Sequence, residues 1–209
     1  MIEHFYWDSC IFYCLLTGQP PHHQADVLEL LNDARNGKAK IYTSTIALAE
    51  IKPRFLKQKG HRSINAFFDT MQGAVSLIDA NPNIMTAAGI LRDCIPTNPS
   101  DATTQNLRSI GLGDAIHLQT CLHLRDVLGV KGIVFQTFDN GKGKTWEGRC
   151  VPLLTFEKWF PQPPKSVADV CSLTRILPRS TQSNLFTTPA IGAGTPALIS
   201  GGNTPAKPS

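Results

Sequence analysis

Four carboxylates of this chain stand where a predicted strand ends or within a predicted helix that follows a strand. Asp8 ends a run of aromatic residues, and Asp139 ends the clearest apolar run in the sequence. Glu50 lies about two turns into a predicted helix, and Asp114 opens another. Hard oxygen ligands of this kind suit Mg²⁺ or Mn²⁺ rather than zinc. The chemistry depends on whether the fold gathers the four side chains at one place.

Each carboxylate also has a purely structural explanation. Asp8 could cap the helix that follows it, Glu50 could pair with Arg54 four residues on, and Asp114 suits the positive end of a helix dipole. Two carboxylates about 5 Å apart repel by roughly 3 kcal/mol at an effective dielectric near 20. Four carboxylates at one place would therefore require a cation or shared protons. A single carboxylate here is explained by structure, but the four together indicate a catalytic or metal-binding site.

A parallel α/β sheet would bring the four carboxylates to the edge beyond the carboxyl ends of its strands, where such sheets bind ligands. A Mg²⁺ ion held by few carboxylates keeps open positions for phosphate oxygens. A water oriented there can attack phosphorus in line while the ion stabilises the leaving oxygen. The predicted reaction is phosphodiester hydrolysis.

Hydrophobic periodicity predicts strands and helices in alternation, which is typical of such a sheet. A long polar loop is predicted over residues 96–112, where prolines interrupt the pattern. The predicted strands cover residues 4–8, 40–43, 74–78, 132–138 and 150–155, and the predicted helices cover residues 9–17, 25–35, 44–51, 64–71, 82–94 and 114–129.

Composition divides the chain into one folded domain over residues 1–160 and a disordered tail over residues 161–209. The tail is rich in Pro, Gly, Ser and Thr. It holds four of the 20 Lys and Arg residues and one of the 16 Asp and Glu residues, so the domain itself is close to neutral. A neutral domain gives no general nucleic-acid signal, and only local patches can.

One local patch follows Glu50. Residues 52–62 contain no acid, and Phe55 lies among their positive charges. Such a run either forms a solvated face or holds a phosphate backbone, and the sequence leaves both interpretations open. Its candidate RNA-binding residues are Lys52, Arg54, Lys57, Lys59 and Arg62.

The cysteines and histidines give weaker signals. The six cysteines include no CxxC pair, which favours reduced thiols in a cytoplasmic protein. A zinc site could be proposed from Cys10, Cys14, His22 and His23, but these residues lack a second ligand pair of the usual spacing. His117 and His123 both lie on the helix predicted over residues 114–129, where a histidine outside a ligand cluster is more often a packing or surface residue than a metal ligand. No secretory signal and no membrane-spanning run is recognised.

The segments around the four carboxylates, residues 6–9, 43–50, 113–118 and 137–141, resemble in that order the acidic motifs of PIN-domain ribonucleases. The resemblance covers roughly residues 1–155. Its most telling piece is Asp-Ala-Ile-His-Leu at residues 114–118. The resemblance implies a three-layer α/β/α PIN-like domain around a central parallel sheet, here with a disordered C-terminal extension.

The resemblance also implies which residues carry the chemistry. Asp8, Glu50, Asp114 and Asp139 would be catalytic around Mg²⁺ or Mn²⁺, with the three aspartates as metal ligands. Supporting roles in positioning the metal or a water would fall to Ser9, Thr137 and Asn140.

The subgroup that the chain looks most like is the VapC-type toxins of type II toxin–antitoxin systems. The implied function is endonucleolytic cleavage of RNA, with a VapB-type antitoxin and a homodimer as expected partners. Two other interpretations stay open. One is a catalytically silent PIN-fold module that binds RNA or protein. The other is a metal phosphohydrolase acting on small phosphate esters, although no second aspartate stands two residues after Asp8.

Overall fold

A sheet of five parallel strands forms the centre of the protein, in the order β3-β2-β1-β4-β5. The computed structural model describes residues 2–97, 108–141 and 150–179. Strand order reverses at β1, which makes the carboxyl ends of β1 and β4 a topological switch point. The strands are β1 (Glu3–Trp7), β2 (Ala39–Ser44), β3 (Val75–Ile78), β4 (Val134–Gln136) and β5 (Arg175–Ile176).

Helices cover both faces of the sheet. Phe5 and Trp7 of β1 pack into one hydrophobic cluster with the helices that follow β1 and β2, whereas Tyr6 packs into a second cluster on the opposite face. The predicted three-layer α/β/α class is confirmed. The helices are α1 (Ser9–Thr17), α2 (Pro21–Arg35), α3 (Ala47–Glu50), α4 (Pro53–Gln58), α5 (Ile64–Asp69), α6 (Pro82–Arg92), α7 (Leu112–Asp126) and α8 (Lys165–Cys171), and a 3₁₀ helix spans Leu153–Trp159.

The aromatic run of β1 is apolar throughout because both of its faces are covered. Tyr6 and Trp7 are fully buried, and full burial of one large apolar side chain stabilises the fold by about 1.5–3 kcal/mol. The indole Nε1–H of Trp7 donates to Oε1 of Gln136 on β4 at 2.7 Å. The end of β1, where Asp8 follows, is therefore fixed against the end of β4.

Two local predictions need correction. The strand predicted over residues 150–155 is absent, and a 3₁₀ helix begins at Leu153 instead. Proline lacks a backbone N–H, so Pro152 removes one ladder hydrogen bond, and the Leu153 amide donates to a side chain rather than to a strand. The basic run was not predicted to be helical, yet α4 begins in it with Pro53 in its first turn.

The predicted boundary at residue 160 does not hold for residues 161–179. Helix α8 buries Val167 and Val170 completely, Leu173 is 5% exposed, and β5 pairs in parallel with β4. Two apolar residues of α8 and one just after it, at spacings of three, pack into the core, although the average composition of the stretch is that of a disordered tail. Residues 180–209, like residues 98–107 of the predicted loop, lie outside the described residues.

Two further features concern the lengths of the helices and the cysteines. Within residues 2–97, 108–141 and 150–179, no helix combines the length and apolar character needed to cross a membrane. All six cysteines carry free thiols in the structure.

Candidate metal centre

Asp8 lies at the switch point between β1 and β4 and is only 4% exposed. Its Oδ2 accepts hydrogen bonds from the Thr137 hydroxyl at 2.8 Å and the Cys10 thiol at 3.2 Å, and its Oδ1 accepts one from Ser9 at 3.3 Å. The backbone N–H of Asp8 donates to the carbonyl of Gln136 at 3.2 Å. Although Asp8 occupies the N-cap position of α1, its side chain makes no capping hydrogen bond.

Glu50, the last residue of α3, turns its side chain toward α7. Its Oε2 lies 2.9 Å from Nε2 of His117, and its backbone carbonyl accepts from the Tyr13 hydroxyl at 2.7 Å. A Cβ placed on Gly113 would lie 2.8 Å from Cδ of Glu50, so only glycine leaves room for this carboxyl group. The side chain of Glu50 pairs with His117, and not with Arg54 as the structural alternative had it.

His117 is a site residue that sequence reasoning missed. It is fully buried, its Nδ1 lies 2.8 Å from the Tyr6 hydroxyl, and its Nε2 is 3.7 Å from Oδ1 of Asp8. Because an ionised carboxylate can only accept, Nε2 carries the proton in the bond to Glu50. The missed signal was its spacing: His117 stands three residues after Asp114, on the same face of α7.

Glu50 and His117 stabilise each other's charged forms. Burial alone would raise the pKa of Glu50, but the hydrogen bond and positive charge of His117 outweigh burial and lower it. Burial would lower the pKa of His117, but the bond to Glu50 and the negative charges of Asp8, Glu50 and Asp114 raise it. The negative charge of Glu50 is therefore balanced by the positive charge of His117.

Asp114 is not compensated in this way. Burial, followed by the negative charges of Asp8 and Asp139, raises its pKa to about 8. Its carboxyl group folds back against Gly111, where an added Cβ would lie 2.5 Å from Oδ2 of Asp114. Asp114 therefore keeps its proton below about pH 8 in the metal-free protein. When it ionises, the centre holds more negative charge than its own residues neutralise, and a bound cation would relieve that excess.

Asp139 is anchored to the backbone. Its Oδ1 accepts from the N–H of Gly141 at 3.0 Å, and its Oδ2 accepts from the N–H of Leu153 at 3.1 Å. Its own N–H donates to the hydroxyl of Thr137 at 3.0 Å, so the same hydroxyl joins Asp139 to Asp8. Asn140, the remaining predicted supporting residue, follows Asp139 in the chain, and its side chain is exposed.

One group of side chains in the described part of the chain has ligand atoms close enough for a metal ion. It consists of Asp8, Glu50 and His117, with atoms within 4.8 Å of one another. Since Nε2 of His117 is engaged as a donor to Glu50, the oxygen atoms are the ligands on offer, and these fit Mg²⁺ or Mn²⁺. The zinc alternative finds no support, because the Cys10 thiol is directed at Asp8 instead.

The basic run lies directly after Glu50, on and around α4. The guanidinium of Arg54 stands 4.7 Å from the ring centre of Phe55, and the Phe55 ring meets that of Tyr13 at 5.4 Å. The predicted RNA-binding residues Lys52, Arg54, Lys57, Lys59 and Arg62 are all exposed.

No protein-family model and no curated protein matches this sequence. Among solved structures, the chain is similar to a chain in the crystal structure of VapBC2 from Rickettsia felis bound to a DNA fragment from their promoter. The identity is 16%, the alignment covers 66% of this chain and 100% of that chain, and the TM-score is 0.38. A likeness of this size carries no argument about function.

Proposed function

We propose that this protein is a Mg²⁺- or Mn²⁺-dependent endoribonuclease that hydrolyses RNA phosphodiester bonds. The observation that carries the proposal is the group formed by Asp8, Glu50 and His117 at the switch point, whose possible ligand atoms lie within 4.8 Å of one another. The negative charges of Asp8, Asp139 and Glu50 also act on Asp114, whose pKa is raised to about 8. Perturbed carboxyl groups at the ligand-binding edge of a parallel sheet are typical of active sites.

The residues of the centre would divide the work. Asp8, Glu50 and Asp114 would hold the cation, which when bound stabilises charge on the scissile phosphate and the leaving oxygen. Thr137 holds the Asp8 carboxylate through a hydrogen bond, and His117 holds that of Glu50. Asp139 is proposed to act through its charge, as part of the acidic surroundings that attract the cation.

Supporting roles remain for Ser9 and Asn140. Ser9 would orient Asp8 through its hydrogen bond to Oδ1. Asn140, exposed beside Asp139, would contact substrate or a water.

The basic run supplies the substrate contact in this proposal. Its five exposed cations follow Glu50 directly and would neutralise backbone phosphates on one side of the centre. Unpaired RNA is the proposed substrate, because its unstacked bases are free to contact the protein around the centre. Binding should therefore weaken steeply with salt.

The wider biological role is proposed from the sequence resemblance. That resemblance supports a cytoplasmic toxin of the VapC type, with a VapB-type antitoxin and a second copy of the chain as partners. A small DNA-binding protein encoded immediately upstream would support this role.

The function is tested with purified protein and a labelled single-stranded RNA. We expect cleavage with Mg²⁺ or Mn²⁺, no cleavage with EDTA, and at least a hundredfold loss in Asp8→Asn. Asp69→Asn is the matched control, because Asp69 is an exposed carboxylate at the end of α5. Full activity in Asp8→Asn would overturn the assignment, and RNA retention without cleavage would favour the catalytically silent module.

A further inference from the structure

Three aromatic rings form a row beside the candidate metal centre. The ring centres of His22 and His23 are 4.2 Å apart, and those of His23 and Phe138 are 5.2 Å apart, with interplanar angles of 50° and 33°. Phe138 and His23 are half-buried and His22 is exposed. The ring row, as we call these three residues, thus starts in the domain and ends in solvent.

The inner end of the ring row is tied to the carboxylates. Phe138 stands between Thr137 and Asp139 in the chain, and its N–H donates to the thiol sulfur of Cys10 at 3.1 Å. The same thiol donates to Oδ2 of Asp8 at 3.2 Å. Two hydrogen bonds therefore separate the backbone of Phe138 from the Asp8 carboxylate.

The outer end of the ring row is not explained by packing. His23 contacts both other rings, whereas His22 makes its aromatic contact with His23 and none with Phe138 among the described residues. His22 is the second residue of α2 and stays exposed beyond it. An exposed ring held in a row that leads to a charged centre has the form of a stacking surface.

We infer that the ring row is a stacking platform for an unpaired nucleobase next to the phosphate that the centre cleaves. This inference rests on the proposed function, since it names the subsite of the same substrate. Bases of single-stranded nucleic acids stack on aromatic side chains, including histidine, and the contact tolerates sequence because every base has a π-face. The platform combines the start of α2 with the residue Phe138 after β4, whereas the basic run follows α3, so phosphates and bases of one strand would be held by different elements.

The test measures binding separately from cleavage. Fluorescein-labelled oligo(A) and oligo(U) are titrated in EDTA with the full-length protein and with His22→Ala. We expect binding of oligo(A) to weaken about tenfold and that of oligo(U) to weaken less, because purines stack more strongly. His123→Ala is the control, since His123 is a partly exposed histidine near the far end of α7.

A second variant separates stacking from an indirect structural effect. His22→Phe keeps a ring at the position, so it should retain binding and the preference for oligo(A). With Mg²⁺ present, His22→Ala should raise KM about tenfold and leave kcat nearly unchanged, because the platform binds without taking part in the reaction.

The outcomes distinguish this inference from the proposed function. Unchanged affinity and KM in His22→Ala, with a wild type that cleaves, would overturn the platform alone. A wild type that binds RNA without cleaving, and loses binding in His22→Ala, would support the platform and overturn the nuclease. Loss of binding in folded His22→Phe, or no RNA binding by the wild type, would also overturn the platform.

Discussion

The strand-borne and helix-borne carboxylates of the centre are stabilised in different ways. Asp8 and Asp139 follow β1 and β4, and hydroxyl, thiol and backbone donors of neighbouring elements hold their oxygens. Glu50 depends on a single buried histidine, His117. Asp114 faces other carboxylates, and its pKa is raised to about 8.

The strand side therefore determines the positions of the carboxylates, whereas the helix side determines how the charge of the centre changes. The strand side is a frame that holds its geometry without a metal, because its hydrogen bonds come from within the protein. On the helix side, Asp114 acquires an unbalanced negative charge when it ionises near pH 8, so the stability of this side should depend on pH and on a bound cation. Changes on the two sides should therefore have opposite effects.

The largest expected effect is a pH-dependent stability of the metal-free protein. An unfolded aspartate titrates near 3.9, whereas the pKa of folded Asp114 is about 8. Between these values the folded state binds a proton that the unfolded state lacks, so the free energy of unfolding falls as pH rises. The fall reaches the order of 5 kcal/mol at pH 8. His117, with its raised pKa, acts in the same direction above about pH 6.5.

Urea unfolding in EDTA at pH 5, 6, 7 and 8 measures this slope, with Asp114→Asn as the comparison. The wild type should lose stability relative to the variant as pH rises. Added Mg²⁺ or Mn²⁺ at pH 8 should restore stability to the wild type and have little effect on the variant. Parallel pH profiles would show that Asp114 carries no excess charge.

An intermediate effect is expected from the same substitution on the two sides. At pH 8 in EDTA, Asp114→Asn should stabilise the protein, because it removes an unbalanced charge. Asp139→Asn should destabilise it by about 1–3 kcal/mol, because asparagine has one acceptor oxygen for two backbone donors. Urea unfolding checks the signs, with Asp69→Asn expected near zero. Shifts of equal sign would remove the distinction between the two sides.

The smallest change in stability is expected for Gly113→Ala. The added Cβ must displace the Glu50 carboxyl group from His117, so RNA cleavage should fall about tenfold. Alanine gains about 0.5–1 kcal/mol over glycine within a helix, which offsets part of the strain. Gly89→Ala in α6 is the control, because nothing lies within 4 Å of its Cβ. Its unfolding free energy should rise by about that amount while cleavage stays unchanged, and undiminished cleavage in Gly113→Ala would show that the position of Glu50 is unimportant.

Much of the fold was predictable from local patterns. The runs ending at Asp8 and Asp139 are apolar because strands of a covered parallel sheet bury both faces, and their carboxyl ends meet at one edge. The start of α7 near Asp114 followed from helical periodicity. The C-terminal elements α8 and β5 were missed, because a short helix docks through a few residues that composition averages hide.

The four carboxylates and their order along the chain were determined by the sequence itself, since strand ends and helix starts are local properties. The tertiary structure alone decided their partners. The bond from His117 to Glu50 joins residues 67 positions apart, and the bond from Thr137 to Asp8 joins residues 129 positions apart. Such contacts arise only when α3, α7, β1 and β4 pack together, because side-chain direction and burial are properties of the assembled layers and not of the local pattern.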